Sequence, residues 1–144
     1  DDYLDGYDAK LTALEKEGLT IFMEEGCTTC HSGVALGGGM IQKFGVHEEY
    51  WKLTGSESID NGLYDITKNE SDRYYFKTPG LRNIEMTYPY FHDGSVDSLS
   101  TAVQIMAKTQ LGKELSKDRV DKIVVFLKSL TATPNEELIA SKKN

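Results

Sequence analysis

The chain's two cysteines and one of its three histidines lie together in the segment CTTCH, residues 27–31. Two thiols three positions apart, followed at once by an imidazole, support three kinds of chemistry. The thiols can exchange electrons as a dithiol and disulfide, usually in a thioredoxin-like βαβ setting. The same side chains can bind zinc, although a structural zinc site needs a fourth ligand. They can also add to the two vinyl groups of a haem while the histidine ligates the iron.

The surroundings of the motif favour the haem. The sequence around it is helical and loop-rich, which does not supply the βαβ setting of a redox dithiol. A zinc site would need His47, His92 or a carboxylate as its fourth ligand. The haem interpretation uses all three side chains, because Cys27 and Cys30 form thioether bonds and His31 lies under the iron as proximal ligand. We therefore predict one covalently bound haem c.

The ligand on the other side of the iron decides the chemistry. An open position permits catalysis, whereas a thioether closes the site and raises the potential for electron transfer. Met106 lies far downstream on an apolar helical face, from which its sulfur can approach the opposite side of the ring. From spacing alone, a second role for this methionine is equally open, in which it fills a gap in the core. The other candidates are His47, His92, Met23, Met40 and Met86.

A helix must deliver the chain directly into this motif. Thr12 and Glu15 match a capping box, in which the threonine covers free N–H groups and the glutamate reaches back. Apolar residues follow at helical spacing, and Gly26 supplies a C-terminal stop. We expect this helix to pack against the last helix of the chain, with Gly18 allowing close approach near Phe126.

Two further helices are predicted downstream. The first begins at Asp97 or Ser98 and ends before Gly112. The second begins after Ser116 as N-cap and ends at Thr133-Pro134. Their apolar faces comprise Leu99, Ala102, Val103 and Met106 in the one, and Val120, Ile123, Val124, Leu127 and Leu130 in the other.

The middle of the chain, residues 32–79, shows neither helical periodicity nor a persuasive strand pair. Its glycine-rich segment GVALGGGM is expected to form a tight loop beside the haem. So much loop in a compact chain needs a large group to organise it. The predicted fold is therefore all-α and cytochrome c-like, a single domain over residues 1–144 with a tail at 133–144 and long loops around one haem.

Charge and hydropathy exclude two classes of function. The net charge of −7 argues against nucleic acid as a partner. The sequence also lacks a run of 18 apolar residues, which a membrane-spanning helix would need. Residues 1–25 carry eight acidic and two basic residues, whereas residues 108–128 carry six basic and three acidic ones. This asymmetry either orients a charged protein partner or reflects solvated helix faces.

The chain resembles the C-terminal, high-potential haem domain of bacterial di-haem cytochrome c peroxidases, a family that includes MauG-like proteins. The resemblance covers nearly the whole chain and is carried by GCTTCHSGVALGG, FKTPGLRN, TYPYFHDGS and AVQIMAKTQLG. By this resemblance, Cys27 and Cys30 match the thioether cysteines and His31 the proximal ligand. Met106 matches the distal methionine, where MauG-like proteins carry tyrosine.

The resemblance also implies roles for residues 80–92. Arg82 and His92 match motif residues near the haem and the domain interface, and Arg82 is a candidate partner of a haem propionate. His92 is a candidate catalytic group, with a hydrogen-bonded structural role as the alternative. Carbonyls of Thr87 and Pro89 match a segment that helps to bind calcium between two domains. Gly80 departs from the family pattern, in which serine or threonine is more common.

The function implied by the resemblance is electron transfer in hydrogen peroxide reduction. The domain would accept an electron from a small cytochrome c or a cupredoxin and relay it to a peroxidatic haem. That haem belongs to a domain not present in this chain, which has one CxxCH where the family has two. The chain is then either one half of such a protein or a domain that exists alone, and alone it is not expected to turn over peroxide.

Two alternatives stay open at this point: a stand-alone monohaem cytochrome c, and a haem that itself reduces peroxide with His92 assisting. A second copy of the chain is also a candidate partner. The predicted compartment is the periplasm, because thioether attachment of haem is completed there in bacteria and a free CxxC pair would otherwise be redox-active.

Overall fold

The computed structural model describes residues 2–132, and the predicted tail at 133–144 lies outside the described residues. Regular structure in this part of the chain is mostly helical. The helices and strands are α1 (Ala13–Glu24), β1 (Ile41–Lys43), α2 (Tyr50–Thr54), α3 (Tyr64–Thr67), β2 (Tyr75–Lys77), α4 (Leu99–Leu111) and α5 (Lys117–Lys128), with 3₁₀ turns at Asp8–Lys10, Cys27–Thr29, Glu70–Asp72 and Ile84–Met86.

The three long helices begin where the sequence predicts. The Glu15 backbone N–H donates to the Thr12 hydroxyl at 3.3 Å, and the Thr12 N–H donates to the Glu15 carboxylate at 2.7 Å, which confirms the capping box. The side chains of Ser98 and Ser116 accept from the backbone N–H groups of Thr101 and Arg119 and so cap α4 and α5, without a reciprocal bond. Gly112 ends α4 in the left-handed conformation, with φ of 62°.

The end predicted for α5 is wrong. The helix ends at Lys128, before the predicted stop at Pro134. The Ser129 hydroxyl donates to the carbonyl of Phe126 at 2.7 Å, and the Ser129 N–H bonds to carbonyls of the preceding turn. A serine that bonds to the backbone of its own turn competes with helix continuation, so the helix ends without the proline.

The first and last helices pack closely at Gly18, as the sequence predicts. A Cβ atom at this position would lie 2.1 Å from the carbonyl oxygen of Lys122 and 2.9 Å from the Cβ of Phe126. Only a residue without a side chain lets the two backbones approach to this distance. The contact fixes α1 on α5 and therefore fixes the end of α1, from which the CTTCH segment follows.

The prediction of an all-α fold is wrong in one respect, because β1 and β2 form a small antiparallel sheet. Gln42 lies opposite Phe76 in its register. Each strand has three residues, and all three residues of β1 are exposed. A strand without a buried face carries no alternation of apolar and polar residues, so no pattern in the sequence indicates it.

Buried residues form two cores. The helical core lies among α1, α4, α5 and the segments beside them, and it is mostly aliphatic. The aromatic core joins the middle of the chain to α4. The helical core comprises Ile21, Phe22, Leu81, Ala107, Leu115, Val120, Ile123, Phe126 and Leu127, and the aromatic core comprises Phe44, Tyr50, Tyr90, Val96, Ala102 and Ile105.

Acidic residues of α1 form ion pairs with basic residues of α5, which accounts for part of the uneven charge of the sequence. Lys122 lies 3.2 Å from Glu17, and Arg119 lies 3.2 Å from Glu24. The acidic first helix and the basic last helix therefore neutralise each other in part within the molecule. None of the helices in residues 2–132 has the length and apolarity that a membrane crossing requires.

Candidate haem-attachment site

The CTTCH segment forms one tight turn after α1, which we call the attachment turn. Gly26 precedes it in the left-handed conformation, with φ of 93°. The N–H groups of Cys30 and His31 both donate to the carbonyl of Cys27, at 3.3 and 2.9 Å. Both thiols are free and half-buried. The turn therefore brings the two sulfurs and the imidazole of the predicted site together.

Burial raises the pKa of the Cys27 thiol to about 11, and the neighbouring charge of Glu25 adds to the effect. The thiol is therefore neutral at neutral pH. Cysteines that exchange disulfides are usually more acidic than a free thiol, because the thiolate is the reacting species. The surroundings of Cys27 thus disfavour the interpretation of the CxxC pair as a redox dithiol.

The His31 ring has the protonation that a metal ligand needs. Its Nδ1 lies 3.2 Å from the carbonyl oxygen of Leu36. A carbonyl can only accept, so Nδ1 carries the proton and Nε2 keeps its lone pair. Burial lowers the pKa of His31, opposed by bonds to the carbonyls of Leu36 and Pro79. A neutral imidazole held through its second nitrogen is the usual form of a metal-binding histidine, so these residues fit a haem iron.

The glycine-rich segment forms a tight loop against this histidine. Gly37 has φ of 129°, and a Cβ atom there would lie 2.1 Å from the carbonyl oxygen of Pro79 and 3.2 Å from His31 Nδ1. Gly37 thus lets the loop carry the Leu36 carbonyl to the imidazole. Sequence reasoning predicted the loop but missed this carbonyl, since a backbone acceptor has no residue type that would mark it.

Met106 lies on α4, half-buried and packed against the aromatic core. Cys27 packs against the helical core, so the two segments border different cores. By contrast, Met23 and Met86 expose 50% and 68% of their surface, and the Met40 sulfur accepts a bond from Gln42 Nε2 at 3.5 Å. Among the methionines, Met106 is thus the one that combines burial with a place on a long helix.

His92 packs against the aromatic core from its exposed side. Its ring stacks on Phe76 with centroids 4.2 Å apart, and its Nε2 lies 3.7 Å from a carboxylate oxygen of Asp60. Both contacts favour the structural role over the catalytic one. His47 is exposed, and its backbone N–H donates to the carbonyl of Thr109 at 2.8 Å.

The residues with roles implied by the resemblance alone lie on the surface. The Arg82 Nε donates to the carbonyl of Val34 at 2.5 Å. Thr87 and Pro89 are exposed, and the Thr87 hydroxyl donates to the carbonyl of Ile84 at 3.1 Å. Within residues 2–132, no group of three or more histidine, cysteine or acidic side chains could hold a metal ion. The propionate contact of Arg82 and the calcium site stay predictions.

A cluster of charges beside the attachment turn was missed by the sequence reasoning. A carboxylate oxygen of Glu25 lies 2.9 Å from Lys113 Nζ, and its other oxygen lies 2.6 Å from a terminal nitrogen of Arg119. The Glu25 side chain is only 11% exposed. Its partners lie 88 and 94 positions along the chain, so no local pattern could reveal the contact.

A mostly helical domain with a CxxCH turn and a neutral histidine at its end is the arrangement of a c-type cytochrome. The chain is 47% identical to the cytochrome c551 peroxidase of Nitrosomonas europaea over 131 residues, which make up 91% of this chain and 38% of that protein. It is 45% identical to the cytochrome c551 peroxidase of Pseudomonas aeruginosa, over 90% of this chain and 37% of that protein. No protein-family model matches the chain.

The fold is shared with a solved structure. A MauG-like protein associated with microbial copper homeostasis superposes with a TM-score of 0.74 at 24% identity, covering 92% of this chain and 51% of that one. Over about 90% of its length the chain is homologous to bacterial cytochrome c peroxidases, as its motifs predicted. It spans less than half the length of the curated relatives named above.

Proposed function

We propose that this chain is the electron-transfer haem domain of a di-haem cytochrome c peroxidase. In this proposal, Cys27 and Cys30 would hold one haem c through thioether bonds, and His31 and Met106 would ligate its iron. The domain accepts electrons from a small donor protein, a cytochrome c or a cupredoxin. It relays them to a peroxidatic haem on a further domain, where hydrogen peroxide is reduced.

The observation that carries the proposal is the attachment turn itself. Two free thiols and an imidazole whose Nδ1 bonds to the Leu36 carbonyl lie within five residues. The family supports the wider function, since the relatives from two bacteria are named cytochrome c551 peroxidases. That name pairs a small cytochrome with a peroxidase, as the proposed electron donor and acceptor require.

A bound haem supplies an iron that gains and loses one electron. The chain's own residues hold and tune it. The hydrogen bond from His31 Nδ1 to the Leu36 carbonyl fixes the orientation of the ring. The direction in which Nε2 points is fixed with it. The soft sulfur of Met106 and the apolar side chains beside it disfavour the more highly charged oxidised iron, so the potential is high. An iron held by both His31 and Met106 would leave peroxide no place to bind.

The first test is attachment. We expect the natively matured chain to have a mass above that of its amino acids by one haem, and its reduced form to show sharp α and β bands that resist acid–acetone extraction. In the Cys27→Ala, Cys30→Ala double variant, extraction removes the colour. A matured chain with the mass of its amino acids alone contradicts the proposal.

The second test concerns the sixth ligand. The oxidised domain should show a far-red sulfur-to-iron band that is absent in Met106→Ala and kept in the matched control Met86→Ala, whose side chain is mostly exposed. Rapid peroxide turnover by the isolated chain, with no second haem present, would instead support the alternative in which this haem is itself peroxidatic.

The remaining parts of the proposal follow from the same function. The single domain of residues 1–144 works in the periplasm, where haem is attached to CxxCH motifs. His92 acts as a packing residue of the aromatic core through Phe76 and Asp60. A calcium site that includes the carbonyls of Thr87 and Pro89 is completed by the further domain, and titration of the isolated chain with calcium should then show no tight binding.

A further inference from the structure

The Glu25 cluster joins three elements of the fold. Glu25 follows the last residue of α1 and stands two positions before Cys27. Lys113 follows the glycine that ends α4, and Arg119 lies on α5. The carboxylate binds both cations, at 2.9 and 2.6 Å, and Lys113 Nζ also lies 3.4 Å from the Glu25 carbonyl oxygen.

Both ends of the Glu25–Lys113 contact are held rigidly by backbone bonds. The Glu25 N–H donates to the carbonyl of Ile21 at 2.9 Å, as a continuation of α1. The Lys113 N–H donates to the carbonyl of Ala107 at 3.1 Å, in the turn that closes α4. Ala107 is the residue after Met106. The ion pair therefore connects the attachment turn to the part of α4 that carries the methionine.

We propose that Glu25 is a positioning residue which, through Lys113 and Arg119, sets the distance between the attachment turn and Met106, and so holds the sulfur on the iron. This inference rests on the proposed function, since it requires His31 and Met106 to be the two axial ligands. Glu25 touches neither ligand. It acts by fixing the segments that carry them.

The carboxylate of Glu25 is the shared partner of both cations, which explains why one residue has this effect. Removing Glu25 leaves Lys113 without the carboxylate that it binds and leaves Arg119 with Glu24 as its remaining carboxylate partner. Charge-assisted hydrogen bonds are also short and directional, so they fix a separation more sharply than apolar contacts do. Without Glu25, α4 is free to shift relative to the attachment turn, and the bond from sulfur to iron is the contact that this shift loosens.

The experiment uses imidazole as a probe of the sixth position in the oxidised, natively matured chain. External imidazole binds only after the sulfur has left, so its apparent affinity measures the fraction of iron without the methionine. We expect Glu25→Gln to bind imidazole about tenfold more tightly than the unaltered chain, the size of effect that one lost charge-assisted hydrogen bond gives. Far-ultraviolet circular dichroism should stay unchanged at the temperature of the titration.

The matched control is Glu114→Gln. Like Glu25, Glu114 is a glutamate that binds a lysine, but it lies in the connection between α4 and α5 and pairs at 3.1 Å with Lys108 of α4, so this pair does not involve α1. We expect its imidazole affinity to equal that of the unaltered chain. Glu25→Asp, which keeps the charge, should lie between Glu25→Gln and the unaltered chain. Lys113→Met should weaken the sulfur bond as Glu25→Gln does, and the double variant should show less than the sum of the two effects.

The outcomes separate this inference from the function on which it rests. If the unaltered chain lacks the far-red sulfur band, Met106 ligation is wrong and the inference fails with it. If that band is present but Glu25→Gln and Glu114→Gln bind imidazole equally, only the positioning role is overturned. The same conclusion holds if Glu25→Gln loses its circular dichroism signal together with the band, since the residue then serves stability alone.

Discussion

The two cores of this molecule are built in different ways. The helical core lies between long helices, and its members are mostly aliphatic side chains such as Ile123, which is 1% exposed. The aromatic core is made from short elements and loops, in which Phe44 and Tyr50 stack with ring centroids 4.6 Å apart. There the Tyr50 hydroxyl exchanges hydrogen bonds with the backbone of Asp60, at 2.9 and 3.1 Å.

This difference separates local from long-range information. The helical core follows from apolar residues at helical spacing. This pattern can be recognised within a dozen consecutive residues. The aromatic core depends on segments that acquire a structure only in contact with one another. We infer that the helical core can form by itself, whereas the aromatic core and the loops around it need the haem as an additional surface to pack on.

The largest expected effect tests this inference by removing the haem. In the Cys27→Ala, Cys30→Ala variant freed of haem, we expect amides in residues 44–96 to lose about 4 kcal/mol or more of protection against hydrogen exchange, the scale of a tightly bound group that is lost. Mass spectrometry of exchanged peptides measures this directly.

The control lies within the same experiment. Peptides from α1 and α5 should lose much less protection than those from the middle of the chain, because the contact at Gly18 and Phe126 does not involve the attachment turn. Equal loss in both regions would show that the two cores fold as one unit, and the comparison would break down.

The second prediction disrupts the helical core at its closest contact. In Gly18→Ala, the added methyl group meets the carbonyl of Lys122 at 2.1 Å, and the helices must move apart. We expect the free energy of unfolding to fall by about 3 kcal/mol, the upper range for overpacking a core. Chemical denaturation measures it, and Gly39→Ala is the control because nothing lies within 4 Å of its Cβ.

The limits of sequence reasoning follow the same division. Both ends of α4 were predicted correctly, because Ser98 and Gly112 act on neighbouring residues through capping chemistry. The attachment turn was predicted as a site because its three functional residues are adjacent.

Two of the missed features are contacts between distant segments. The strand β1 pairs with a segment more than thirty positions away through exposed residues, so it leaves no alternation. Lys113 and Glu25 are separated by 88 positions, and either residue alone resembles any charged surface residue. The Leu36 carbonyl lies close to His31 in the sequence, but it belongs to the backbone, so no residue type indicates its role. The sequence therefore indicated which residues form the site but not the contacts that hold them in place.

The third prediction concerns the aromatic core and its polar contact. Tyr50→Phe keeps the ring stack on Phe44 and removes the hydroxyl that bonds to Asp60. Because the Asp60 backbone groups then lose a partner, we expect the free energy of unfolding to fall by about 1 to 2 kcal/mol. Thermal unfolding of the haem-loaded chain measures it. Unchanged stability would mean that water replaces the hydroxyl and that stacking alone holds this core.

The smallest expected effect compares the Glu25 cluster, which joins the helices around the helical core, with the Tyr50 contact of the aromatic core by their dependence on pH. The hydrogen bond from Lys113 and the charge of Arg119 lower the pKa of Glu25 below its ordinary value of 4.5, although burial opposes them. A carboxyl whose pKa is lower in the folded state stabilises the fold above its unfolded pKa, and this contribution is lost as the pH falls through the folded pKa. The stability difference between the unaltered chain and Glu25→Gln should therefore be about 1 kcal/mol at pH 7.

That difference should shrink as the pH falls below about 4.5 and also shrink with added salt, since part of it is charge attraction. The stability lost in Tyr50→Phe should instead stay constant over the same acid range and at every salt concentration, because a neutral hydroxyl bonds to neutral backbone groups. Denaturation curves of both variants at several pH values make the test. If the two variants respond alike to acid, the polar contacts of the two cores do not differ in kind, and charge is not what joins the attachment turn to α4.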